Sequence, residues 1–135
     1  MNPLAGVITI LKANANIASA TGGRVYGGAQ IPGGKDKFPC VLIRRVGGRS
    51  PLINDAAEHE LVIDIRCFAA SQVAAQAVAD SIVSAINGTA LIEVSGWRLI
   101  SSIEQVGPTD MQEIISDSEA WDSVFMTYRL ALEEI

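Results

Sequence analysis

The chain is poor in the residues that most often carry out chemistry. It has one histidine, His59, and two cysteines, Cys40 and Cys67. Two thiols outside any C-x-x-C pair build no disulfide framework, so both read as small buried apolar residues in a reducing compartment. A Ser-His-Asp triad would have to be built around His59 alone. Glu58, His59 and Glu60 are consecutive, so a strand would turn both carboxylates away from the imidazole. His59 therefore reads as a solvated strand-end residue, and no catalytic residue, metal or cofactor is expected. Bases are scarce as well: ten Lys and Arg against fifteen Asp and Glu give a net charge of −5. Binding of DNA or RNA needs a basic surface, so this balance counts against specific nucleic-acid binding. DNA could still pass such an acidic surface without sticking. No apolar run approaches the ~20 residues that span a bilayer. The start, from Met1 to Gly6, lacks the basic and apolar regions of a signal peptide. A soluble chain made in a cytoplasm, with no membrane partner, is expected. The paired glycines at 22–23, 27–28, 33–34 and 47–48 fit neither phosphate-binding spacing and read as turns and helix ends.

What is present is enough for a core. A chain of 135 residues, 49% apolar and 19% charged, fits a single domain covering 1–135. The charged share is below the usual quarter, and mean hydropathy is +0.30. That suits a subunit with buried interfaces and a modestly apolar monomer equally.

Asn2-Pro3 is a helix start, and Leu4, Val7, Ile8, Leu11, Ala15 and Ala18 make one apolar stripe ended by Gly22-Gly23. Short strand character follows at Arg24–Tyr26, a loop over Ala29–Lys37 and a strand over Phe38–Val46. Turn residues fill Gly47–Ala57, and Glu58–Phe68 alternates as the return strand of a long hairpin. Ser71 caps a second helix whose buried face is read as Val73, Ala74, Ala77, Val78, Ser81, Ile82 and Ala85. Strands are expected over Thr89–Val94 and Trp97–Gln105, broken at Ser95-Gly96. Gly107–Ser118 reads as a flexible acidic loop, and Trp121–Leu132 as the last strand. The fold class is therefore α+β: a mostly antiparallel β-sheet with two amphipathic helices packed on one face.

Charge is placed unevenly. Arg44 and Arg45 end one strand with Arg49 just beyond, while Asp64 and Arg66 share a face of the next. A solvated face with cross-strand ion pairs explains this. So would a contact between subunits, in which arginines meet a neighbour's acidic segment from Asp110 to Glu119. Asp117 and Glu119 resemble a glycosidase pair only in spacing, since nothing ties them to an apolar pocket.

Several segments resemble the small phage tail-completion and tail-terminator proteins of the head–tail joining region. They are the N-terminal apolar helix leading into Thr21-Gly-Gly-Arg-Val-Tyr26, Ile31-Pro32, and Phe38-Pro39 before Val41-Leu-Ile-Arg44. The Ile63-Asp-Ile-Arg-Cys-Phe68 strand before an Ala-x-x-x-Ala helix and Trp121-x-x-Val124-Phe-x-Thr-Tyr-Arg-Leu130 complete the series in order. The resemblance implies a structural virion subunit of a phage or prophage neck or tail, without enzymatic activity. It would form a ring homo-oligomer, a hexamer on the family's pattern, that ends the tail tube. Its other partners would be the tail tube protein and the head connector or head-completion protein. The competing expectation is a small cytosolic ligand-binding domain or enzyme of unknown substrate, which needs a closed pocket with convergent polar groups, His59 and Cys67 being candidates for them.

Overall fold

The computed structural model describes residues 2–28, 34–49, 58–87, 91–116 and 119–135. Its first helix, α1 (Pro3–Ala13), starts where the sequence places it: Asn2 Oδ1 accepts from Leu4 N at 3.0 Å, and Pro3 fills the first turn. The expected single helix breaks at Asn14, however. The Asn14 side chain accepts from the amides of Asn16 and Ile17 at 3.0 and 3.1 Å and starts a second helix, α2 (Ala15–Thr21). An asparagine can satisfy a helix's orphan amides better as a cap than from inside it, so the stripe is divided at that residue. Gly22, at φ 63°, ends α2 in the left-handed conformation.

Six strands follow: β1 (Val25–Gly27), β2 (Cys40–Arg49), β3 (Glu58–Ala69), β4 (Ile92–Val94), β5 (Trp97–Ser116) and β6 (Glu119–Glu134). A 3-10 turn spans Gly34–Lys37, and helix α3 (Gln72–Ile86) links β3 to β4. They form one sheet in the order β1-β2-β3-β6-β5-β4, in which only β1 and β2 are parallel. The expected α+β class and antiparallel sheet hold, with three helices in place of two. The β2–β3 hairpin pairs as read, and its strand runs on to Arg49; residues 50–57 of the expected loop lie outside the described residues.

The largest departure is at 107–116. Instead of a flexible acidic loop, these residues continue β5, which pairs with β6 from Trp97↔Glu134 to Ser116↔Glu119. Gly107 and Pro108 sit where the register shifts between Val106 and Thr109. A bulge is where a strand tolerates proline and an unpaired residue, so the two residues that read as a turn bend a strand instead.

The core lies between the helices and one sheet face. Leu61, Ile63, Ile65 and Cys67 of β3 join Val124, Met126, Tyr128, Leu130 and Leu132 of β6, all at most 1% exposed. Helix α3 covers them with Ala75, Val78, Ala79, Ile82 and Ile86. Val78 and Ile82 were expected there. Ala74 and Ala77 are instead exposed, and Val73 is 76% exposed. Alanine lies on several sides of α3, so its stripe has little contrast, and the larger side chains set the rotation.

Helix α1 sits so close to the sheet that a β-carbon at Gly6 would fall 2.5 Å from the Trp97 ring. Alanine favours a helix by about 1 kcal/mol over glycine, but overpacking against a fixed indole costs about 1–3 kcal/mol. Gly6→Ala is expected to lose roughly 1 kcal/mol net in urea denaturation, and Gly6→Val clearly more. An unchanged or raised midpoint for both would show that the helix can lift off Trp97 freely.

Candidate functional site

The face of the sheet away from the helices carries Arg44, Asp64 and Arg66 of the charged residues singled out above. Strand alternation sets Arg44 opposite Asp64 across β2 and β3, where they form an ion pair at 3.4 Å. Thr127 Oγ1, one strand further on β6, donates to the second Asp64 oxygen at 3.1 Å. Arg66 does not meet Asp64. It reaches across β6 to Glu113 of β5 at 3.0 Å. Arg129 and Glu60 close a third pair at 2.9 Å. Each of these three arginines is thus held by a carboxylate on another strand, adjacent for Arg44 and Arg129 and one strand further for Arg66, and is at most half exposed, which orders the face more than it stabilises it.

The same face ends in an aromatic cluster. Phe38 stacks on Phe68 at 5.7 Å between ring centroids, and Trp121 meets both edge-on at 5.2 and 6.0 Å. Cys40, Leu42 and Phe68 are buried beneath Tyr26, Phe38 and Trp121 in a small second core. Such offset and edge-to-face pairs add about 0.5–1.5 kcal/mol each beyond their area.

Of the other residues picked from the sequence, Arg45 lies opposite Ile63 and so points to the helix side, exposed, with the Gly47 carbonyl as its acceptor among the described residues at 3.3 Å. Arg49 ends β2 and Glu119 begins β6 beside Ser116. Asp117 lies outside the described residues. The fold therefore joins Arg44 to Asp64, keeps Arg66 beside them around one small cavity on the same face, and turns Arg45 to the other side.

His59 corrects an expectation. It is half-buried on the helix side, 6.4 Å from the Trp97 ring, and its Nε2 is buried without a partner among the described residues. The alternation that buries Leu61 and Ile63 also turns His59 inward. Cys40 and Cys67 are free and buried. Burial pushes the Cys40 thiol up to about 11, with Arg24 opposing, and burial beside Cys40 pushes Cys67 higher still. Both thiols stay protonated and poorly nucleophilic at neutral pH. A groove of about 240 Å³ between α1, α3 and β4 is lined by Ile10, Leu11, Ala85, Ile86, Ile92 and Val94 among others. A second, of about 230 Å³, runs along Gln76, Asp80, Pro108 and Asp110. Neither contains His59 or Cys67. Among the described residues no cluster of three His, Cys, Asp or Glu could hold a metal, and no helix is long and apolar enough to cross a membrane.

Sequence reasoning missed Glu113, Glu60 and Arg129 as partners, and with them the projecting part of β5. The sequence carried little signal for it: Met111 and Ile114 fall on opposite parities, so no apolar alternation marks residues 109–114, and Gly107-Pro108 reads as a turn. Alternation puts Ile103, Val106 and Met111 on the charged face at 57%, 43% and 44% exposure, and Ile114 on the other at 79%.

The profile of the family described as Tail completion protein gp17 matches residues 5–131. No curated protein sequence matches the chain significantly. Among solved structures, a chain from the virion of a native gene transfer agent (GTA) particle has the same fold, with a TM-score of 0.59. It is 23% identical, and the alignment covers 98% of this chain and 99% of that one.

Two measurements check the charged face and the core beside it. A double-mutant cycle on Arg66 and Glu113 is expected to give about 0.5–1 kcal/mol of coupling, shrinking in high salt; zero coupling at low salt would mean the pair is not formed in solution. Burial, reinforced by the Glu104 carboxylate that its hydroxyl contacts at 3.5 Å, raises the Tyr128 phenol to about 12. A raised acid is stabilising while protonated, so this contribution is whole below pH ~10 and lost as pH climbs to about 12. Phenolate absorbance should show a late step near that pH which Tyr128→Phe removes; a single early step for all tyrosines would contradict the buried phenol.

Proposed function

The chain belongs to the tail completion protein gp17 family, a structural component of phage-type virion tails, and we propose that it assembles as a ring that ends the tail tube and joins it to the head. In this reading the unit that assembles is the whole chain, 1–135. Its partners are copies of itself, six on the family's pattern, the tail tube protein, and the head connector or head-completion protein. DNA passes through the ring without specific binding, as the net charge of −5 favours. The protein acts by filling a place in an assembly rather than by catalysis.

The observation that carries the reading is a family match over residues 5–131 on a sheet with two unlike edges. A closing ring needs two different surfaces on each subunit, and the β1–β2 and β5–β4 edges provide such a pair. Arg44, Arg45, Arg49, Asp64, Arg66, Asp117 and Glu119 form the proposed charged contact set. Asp64 and Arg66 act within the subunit, by holding Arg44 and Glu113 in place, while Arg45 is open to a neighbour.

Light scattering after size exclusion, over a wide concentration range and with purified tail tubes, tests the proposal. Discrete rings, or a monomer recruited to tube ends as a ring seen by electron microscopy, are expected. A protein that stays monomeric and never caps tubes would overturn it.

A further inference from the structure

Strand β5 pairs with β6 on one side along its length, but with β4 only over Trp97–Leu99. Strand β2 pairs with β1 only over Val41–Ile43. Among the described residues, the outer edges of Ile100–Ser116 and of Arg44–Arg49 have no ladder partner. A long free edge flanked by Ile103, Val106, Met111 and Ile114, all at least 43% exposed, is a template for another strand.

The geometry points to a second copy of this chain as that strand: the free edge of β5 accepts the free edge of the neighbour's β2, continuing one sheet from subunit to subunit. This rests on the ring reading above and names its interface. Three features select this partner. First, β2 is antiparallel to β3, β3 to β6 and β6 to β5, so β2 and β5 run in opposite directions. A rotation about an axis along the strands therefore brings a neighbour's β2 against β5 in antiparallel sense, with the helices of both copies on the same side. Second, the charges that the fold leaves unbalanced are complementary. Among the described residues, Arg45 holds a backbone carbonyl, while Glu104 and Asp110 meet the neutral Tyr128 and Gln76. All three lie on the helix side of the sheet, as their partners Ile63, Tyr128 and Val124 do, so pairing the strands puts opposite charges on one face. Third, Val46, 46% exposed at the β2 bulge, supplies apolar cover for the β5 stripe. Because β1 and β4 block the first residues of each strand, the paired stretches are staggered, and a sheet that closes on itself requires such a stagger.

Hydrogen-exchange mass spectrometry on free protein and on rings capping tail tubes reads the backbone directly. Amides of Arg44–Arg49 and Ile100–Ser116 are expected to exchange at least about tenfold slower in the ring, with α1 unchanged. Rings whose edge amides exchange as in the free chain would overturn the strand pairing while leaving the ring intact. Tube ends without rings, seen by microscopy, would overturn the ring reading and the pairing with it. Arg45→Glu alone, and Glu104→Lys with Asp110→Lys, should each cut tube-end occupancy about tenfold. All three together should restore it to within about threefold. Folded variants that lose nothing, or whose combination restores nothing, would overturn the charge match.

Discussion

Strand β6 is the constraint on which the rest of the molecule depends. It lies between β3 and β5, paired along both, so its register sets how those two strands and their side chains face each other. Val124, Met126, Tyr128, Leu130 and Leu132 face the helices, while Ser123, Thr127 and Arg129 face the other way. A slip of one residue would exchange these two sets, burying a guanidinium and exposing a phenol, which no nearby alternative could offset. Arg66 reaches Glu113 because β6 holds β3 and β5 at a fixed spacing, and Thr127 on β6 itself secures Asp64.

Much of this was legible beforehand, and the errors have physical causes. The caps at Asn2 and Ser71, the alternation of β3 and β6, and the turn at Ser95-Gly96 are local signals, and local signals survive into the fold. The rotation of α3 was not legible because its many alanines bury almost equally well on any side. The break at Asn14 was hidden because the apolar spacing continues through it. Residues 107–116 were misread because Gly-Pro marks a turn in most settings and a bulge only when a partner strand is present, and that partner, β6, lies further along the chain. The inward turn of His59 was readable from the same alternation that buries Leu61, but its acidic neighbours suggested solvent. Within the charged set, the opposition of Arg44 and Asp64 followed from hairpin pairing, whereas the Arg66–Glu113 contact needed the unforeseen end of β5.

The two faces of the sheet divide the work. One is dry, close-packed and committed to the helices. The other is ordered by cross-strand ion pairs and an aromatic cluster, and among the described residues it holds a small cavity beside Arg44, Asp64 and Arg66. The buried thiols lack the environment that would activate them, and the His59 Nε2 has no hydrogen-bond partner among the described residues. Such a surface is suited to contact over area, which agrees with membership in a tail completion family.

The position of β6 also bears on how faulty copies are sorted. Every other strand precedes it in the chain. A polypeptide cut short by a stop codon before Glu119 would leave β3 and β5 without the strand that separates them, and its largest core residues without cover. Such a product could not hold β5 extended, so it would go to proteases rather than enter a particle as a defective part. With the central strand placed after the others in this order, the sheet closes only once residues 119–134 are in place.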